Sequence, residues 1–286
     1  MPRIHNSLTI AALFLTAVLV PAQLSFSQAQ APAPAPAPAP ASTVHQATPE
    51  EQAAYDRLTP YQKSLLERTY NDWPYLAKYR EADKALPTPS AGEARVVFMG
   101  DSITEGWGQS GVPAPADHAE FFPGKPYVNR GISGQTTPQM LVRFRQDVVA
   151  LQPKAVVILA GINDIAENTG KTTLEAIEDN FRSMSEIAGA NGIQVVLCST
   201  LPASAFPWHP GLQPAPQVKA LNTWLKNYAA TKGLIYVDYY TPMANAEGGL
   251  KAELGRDGVH PNKAGYELMA PLAEAGIGEA LKKPLP

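Results

Sequence analysis

From residue 94 onwards, short unbroken apolar runs alternate with longer stretches in which apolar residues return every third or fourth position. The runs are ARVVFMG (94–100), YVNRGIS (127–133), KAVVILAG (154–161), IQVVLCST (193–200) and LIYVDYY (234–240), the second being the weakest. Continuous apolar runs of this length, rich in β-branched residues, fit strands buried on both faces, which is how parallel sheets read. The stretches between them read as helices. In TTLEAIEDNFRSMSEIAGANG (172–192), Leu174, Ile177, Phe181, Met184 and Ile187 share one face, with Thr172 or Thr173 as cap and Gly192 as stop. In QVKALNTWLKNYA (217–229), Val218, Leu221, Trp224, Leu225 and Tyr228 do the same. A last helix follows in NKAGYELMAPLAEAG (262–276), with Pro261 suited to its first turn. Strands and helices in alternation predict an α/β protein, a three-layer α/β/α sandwich around about five parallel strands.

Ahead of this domain (91–286) the pattern is different. Residues 48–90 read as a helical arm: Thr48 caps, Pro49 takes the first helical position, and Pro60 and Pro74 break the run. Leu65, Leu66, Tyr70 and Trp73 would form its apolar face. Residues 32–47 are a linker, dominated by the Ala-Pro alternation of 31–40, which favours an extended polyproline conformation and forms no core. Residues 1–31 read as an export signal: Arg3 precedes the apolar stretch LTIAALFLTAVLV (8–20), which is shorter than the about 20 residues a membrane span needs. Ala29-Gln30-Ala31 and Val20-Pro21-Ala22 are candidate cleavage sites. The expected location is therefore periplasmic or secreted, an uncleaved N-terminal membrane anchor being the alternative.

Composition narrows the function. The 286 residues are 45% hydrophobic with a formal net charge of −3 and no block of like charges, so nothing resembles a nucleic-acid footprint. The single cysteine, Cys198, lies among apolar neighbours and reads as a small buried hydrophobe. Gly-x-Ser-x-Gly, Gly-x-x-x-x-Gly-Lys and His-Glu-x-x-His are all missing, which argues against an α/β-hydrolase elbow, a nucleotide-cradling loop and a zinc peptidase.

In an open parallel sheet, ligands bind beyond the carboxyl ends of the strands. Polar clusters gather there: Gly100-Asp101-Ser102 after the first run, Gly131 to Thr137 after the second, Gly161-Ile162-Asn163-Asp164 after the third. A serine needs a base to act as a nucleophile near neutral pH. His5 lies in the signal and His45 in the linker; His118 and His209 lie in proline-rich loops with no orienting carboxylate nearby in sequence. His260 follows Asp257 by three residues, a spacing that brings side chains together within one turn. Asp257 would then hold one imidazole nitrogen while the other faces Ser102. Oxyanion donors are available from the Ser102 N–H, the Gly134 N–H and the Asn163 side-chain amide.

Each of these pieces alone is ordinary turn chemistry. Taken together, GDSIT with Ser102, NRGISGQTT with Gly134, GIND with Asn163 and DGVH with Asp257 and His260 resemble the SGNH hydrolases, a subgroup of the GDSL esterases and lipases. The resemblance covers residues 95 to about 275 and leaves out the arm and the linker. It implies a flavodoxin-like fold and a serine esterase that needs no metal or cofactor. Ser102 would attack the ester, His260 would carry the proton, and Asp257 would orient His260. Ser102, Gly134 and Asn163 would stabilise the oxyanion, while Asp101 and Asp164 brace the turns.

The expected function is hydrolysis of small acyl esters, acetyl above all, on small molecules or carbohydrates through an acyl-enzyme. The alternatives are a lipase, lysophospholipase or thioesterase with the same triad, an acyltransferase, or a non-catalytic glycan-binding protein. Trp107, Trp208 and the loop PASAFPWHPGLQPAP would wall the site.

Overall fold

The computed structural model describes residues 47–108 and 119–284. The export signal, all but the last residue of the linker, and His118 lie outside the described residues. Helix α1 (Pro49–Asp56) has the expected start: the Thr48 hydroxyl accepts from the Glu51 N–H and the Thr48 N–H donates to the Glu51 carboxylate. The compact unit runs from Ala53 onwards. Its first helix, α2 (Pro60–Asn71), opens on a reciprocal capping box between Thr59 and Gln62, with Pro60 at the first position, where a missing N–H costs nothing. Helix α3 (Ala77–Ala85) follows after Pro74, its first N–H groups satisfied by the Asp72 carboxylate.

The arm is held to the domain by polar bonds. The Tyr79 hydroxyl donates to the Gly131 carbonyl, Arg130 donates to Asp83 at 2.6 Å, and the carbonyls of Trp73, Pro74 and Leu76 accept from Gln139, Gln135 and Gln146. The apolar face expected on α2 does not bury: Leu66, Tyr70 and Trp73 remain 51%, 89% and 37% exposed, and the Leu65 side chain is outside the described residues. The unpaired carbonyls where the arm turns at Trp73 to Leu76 meet glutamine amides instead, so helical periodicity did not identify the docking face.

Five parallel strands follow: β1 (Val96–Gly100), β2 (Tyr127–Gly131), β3 (Ala155–Leu159), β4 (Gln194–Cys198) and β5 (Ile235–Val237). Their order is β2-β1-β3-β4-β5, that of flavodoxin-like sheets. Each lies inside its predicted run; β1 ends with its run at Gly100, whereas the other four end earlier, because the last residues of those runs already belong to the loop beyond. The chain steps from β1 to β2 in one direction, and from β2 to β3, β4 and β5 in the other. Right-handed crossovers then put α5 (Thr137–Asp147), α7 (Leu174–Ala190) and α8 (Ala215–Lys232) on one face. These three pack side by side. Two short helices stand at strand ends, α4 (Ser102–Glu105) after β1 and α6 (Ile162–Ile165) after β3. A third, α9 (Tyr240–Met243), follows β5.

The opposite face is covered by α10 (Lys263–Ala280), which packs on β3, β4 and β5. Its contact is close at Gly276, where a Cβ would come within 2.4 Å of a Val237 methyl. Pro261 is not in the first turn as expected. Asn262 takes the cap, its side chain accepting from the Gly265 N–H, and Pro261 stays outside the helix in a bridge with Gly255.

The predicted stripes are core. Ile177, Phe181 and Met184 of α7 and Val218, Leu221 and Leu225 of α8 are buried. Trp224 and Tyr228 of α8 are half-buried, their rings stacked 4.8 Å apart. Thr173, not Thr172, caps α7. Cys198 is fully buried and burial pushes its thiol up to about 12, so it remains a protonated packing residue. Among the described residues no helix is long and apolar enough to cross a membrane.

Candidate active site

The strand register fixes where the polar clusters emerge. Gly100 of β1 is aligned with Gly131 of β2 and Leu159 of β3. Ser102, Gly134 and Asn163 therefore leave the sheet at the same carboxyl edge, two to four residues beyond aligned strand ends. Ser102 opens α4 directly after Asp101, whose carboxylate accepts from the Ile103 N–H and so caps that turn. The turn sits very close to β2. A Cβ on Gly131 would lie 2.1 Å from the Glu105 nitrogen and 2.7 Å from the Asp101 carbonyl oxygen. Only a residue without a side chain lets α4 approach this far.

His260 comes from the connection between β5 and α10. Its Nε2 lies 2.9 Å from Ser102 Oγ, and its Nδ1 lies 2.7 Å from Asp257 Oδ2. The other oxygen of Asp257 accepts the backbone N–H groups of Val259 and His260. One carboxylate thus shapes its own loop and positions the ring. Partial burial alone would raise the Asp257 carboxyl, but the three N–H donors outweigh it and hold it below the ordinary carboxylate range. An ionised Asp257 accepts the Nδ1–H, which leaves Nε2 with a lone pair toward the serine hydroxyl.

The three expected oxyanion donors are placed as follows. Neither the Ser102 N–H nor the Gly134 N–H has a protein acceptor among the described residues. Gly134 has φ +78°, a conformation that favours glycine. The Asn163 amide gives one N–H to the Gln135 carbonyl at 3.0 Å, and its oxygen accepts from Asn168 at 2.8 Å, which fixes the amide orientation and leaves its second N–H. Asp164 does brace its neighbours: its carboxylate takes the Thr137 N–H and hydroxyl at the start of α5. Burial raises Asp101 to about 7 and Asp164 to about 6.

Of the two tryptophans expected as walls, one is misplaced. Trp107 is 2% exposed and packs among Phe98, Phe121, Phe122 and Tyr266 on the α10 face of the sheet. The chain after α4 turns back over that face, and a large indole is drawn into the core there. Trp208 is 44% exposed, its ring 6.0 Å from that of His260, and its Nε1 donates to Asn168. His209 is not brought to Ser102; its Nδ1 sits 2.9 Å from the Ala166 carbonyl.

Several residues around the site carried no sequence signal. Arg143 of α5 is fully buried, and it donates to Gln135 Oε1 at 2.5 Å, to Asp147 at 2.9 Å and to the Gly100 carbonyl at 2.9 Å. It ties the end of β1 to the loop that carries Gly134. Glu105 of α4 accepts from the Ser133 N–H and from Lys78 of α3, each at 2.7 Å. Burial works against its charge, but Lys78 and Ser133 prevail and hold the carboxyl low. The Tyr266 hydroxyl of α10 donates to the Ile103 carbonyl, pinning α4 from the other side.

The model of the GDSL-like Lipase/Acylhydrolase family matches residues 98–268. A solved structure from Bacteroides fragilis, assigned as an acylhydrolase, is 45% identical, covers 74% of this chain and all of its own, and superposes with a TM-score of 0.69. A GDSL-like lipase from Bacteroides thetaiotaomicron is 42% identical over 73% of this chain and all of its own, with a TM-score of 0.68. An acetylxylan esterase of Xylanibacter ruminicola is 25% identical over 225 residues, 68% of this chain. The chain spans 45% of the length of that curated relative.

Proposed function

Because the chain belongs to the GDSL-like lipase/acylhydrolase family, we propose that it is a serine esterase that removes small acyl groups, acetyl above all, from carbohydrate esters. The observation that carries this reading is the hydrogen-bonded series from Ser102 Oγ to His260 Nε2 and from His260 Nδ1 to Asp257, 2.9 and 2.7 Å long. Ser102 Oγ attacks the ester carbonyl carbon while its proton passes to His260 Nε2. The carbonyl oxygen takes the displaced electron pair and is met by the Ser102 and Gly134 N–H groups and the Asn163 amide. Collapse of this intermediate expels the alcohol, which takes the proton from His260 and leaves an acyl-serine. Water, losing a proton to His260, attacks the acyl-serine; the second collapse returns that proton to Ser102 and frees the acid.

Acetyl-carbohydrate chemistry is supported by the similarity to the acetylxylan esterase. Residues 53–90 of the arm and the catalytic domain (91–286) act as one folded body in this reading, joined by Tyr79 and Asp83. Export to the periplasm or medium follows from the character of residues 1–31.

The test is the initial rate on p-nitrophenyl acetate and p-nitrophenyl octanoate, for the wild type and Ser102→Ala. Faster turnover of acetate that Ser102→Ala abolishes is the expected result. Equal turnover by the variant would overturn the nucleophile, and a preference for octanoate would overturn the acetyl assignment in favour of a lipase.

A further inference from the structure

A cavity of about 440 Å³ opens between the arm and the oxyanion loop. Arg68, Trp73 and Tyr75 line it from the arm, and Gly134, Gln135 and Asn168 from the domain. Its volume lies in the about 300–1,000 Å³ range of small-molecule sites. An acetyl group has no use for that much space, whereas the alcohol half of the ester needs room beside the oxyanion donors. Gly134 is itself part of the wall.

The polar side chains that the domain gives to this wall are engaged by the protein. Gln135 bonds Pro74 and Arg143; Gln139 bonds Trp73 and Thr136; Asn168 bonds Asn163 and Trp208; Thr169 bonds Thr136; Ser133 bonds Glu105. Arg68, which comes from the arm, is not. It is the one charged residue in the lining, and among the described residues its guanidinium makes no hydrogen bond or ion pair. It lies over the Tyr75 ring, 4.5 Å from the centroid. A guanidinium stacked on an aromatic face keeps its N–H groups in its own plane, directed outwards and ready for a planar two-oxygen acceptor. Glu105 is engaged by Lys78 and Ser133, and Asp72 by the start of α3. Tyr75 holds φ +56°, in the left-handed region that a bulky residue avoids, so the segment that presents its ring accepts backbone strain.

Resting on the carbohydrate-esterase reading above, we infer that this cavity is a subsite for a sugar ring bearing a carboxylate, with Arg68 pairing the carboxylate and Trp73 and Tyr75 flanking the ring. The substrate class narrows to acyl esters of uronic-acid glycans. Recognition is by a charge-assisted, bidentate pair on one side and apolar ring faces on the other.

The test separates binding from turnover. Isothermal titration of the full chain with methyl glucuronoside and methyl glucoside, neither of which carries an ester, is expected to show the glucuronoside binding at least about tenfold more tightly. Arg68→Gln should erase that preference and Arg68→Lys restore part of it, while thermal midpoints change little, because the Tyr75 ring is the one contact that holds the Arg68 guanidinium among the described residues. Equal binding of the two sugars, binding of neither, or an unaltered preference in Arg68→Gln would overturn the inference. Failure of the wild type to turn over p-nitrophenyl acetate would count against the esterase reading instead, whatever the titration gives.

Discussion

Arg143 Nη2 donates to the carbonyl oxygen of Gly100 at 2.9 Å, so a fully buried cation holds the strand end from which the serine turn springs. The same guanidinium donates to Gln135 and is neutralised by Asp147, itself 1% exposed. Arg143→Met leaves the Asp147 carboxylate buried without its partner, and breaking such pairs costs about 3–5 kcal/mol. Urea denaturation should show that loss. Arg143→Lys keeps the charge but not the three-way fork, and should lower kcat more than it raises KM, because it frees the loop bearing Gly134.

Asn163→Ala removes a proposed oxyanion donor and also the amide that Asn168 and Gln135 hold in place. A kcat decrease on the order of 10²–10³ is expected, together with a lowered thermal midpoint, because the buried Gln135 carbonyl loses its donor. Steady-state kinetics on p-nitrophenyl acetate would check it; an unchanged kcat would remove Asn163 from the hole.

Stability should depend on pH through Asp101. Burial raises its carboxyl to about 7, while in an unfolded chain it titrates at its ordinary value of 3.8. Between those values the folded protein keeps a proton that the unfolded chain has released. The contribution to stability is therefore complete below about 4 and is lost as pH rises through 7, an effect of about 2 kcal/mol between pH 5 and 7. Asp164, raised to about 6, adds to it in the same direction. Asp101 Oδ2 is buried with no partner, as suits a neutral carboxyl. Asp101→Asn keeps the acceptor for the Ile103 N–H and should flatten the pH dependence of the denaturation midpoint.

Asp83→Ala strands Arg130, 4% exposed at its side chain, and should cost about 3–5 kcal/mol while loosening the arm. Limited proteolysis between α3 and β1 should then accelerate, and an unchanged cleavage rate would show that the arm is anchored elsewhere.

What the sequence revealed, and what it hid, follows the range of the interactions. The strands were legible because burial on both faces leaves an unbroken apolar run, and α7 and α8 because one buried face repeats every three or four residues. Asp257 and His260 were legible because their pairing is local. Arg143, Tyr79 and Asp83 were not, because each ties the fold to a residue at least 43 positions away, a contact that leaves no periodic trace, and the local Arg143–Asp147 spacing reads like any ion pair on a helix surface. Trp107 was misassigned for a related reason: proximity to Ser102 in sequence says nothing about which side of the sheet the chain next visits.

The proposed base and its carboxylate partner sit three residues apart, whereas the serine they would serve is 158 residues from the histidine. The machinery is thus two prefabricated pieces that meet across one gap. Anything that shifts the loop before α10 as a unit leaves the imidazole correctly oriented and changes only its distance to the hydroxyl. Catalytic rate in this protein should therefore behave as a ruler for the seating of a single loop, and drift in that loop should dim the activity gradually while each half stays chemically sound.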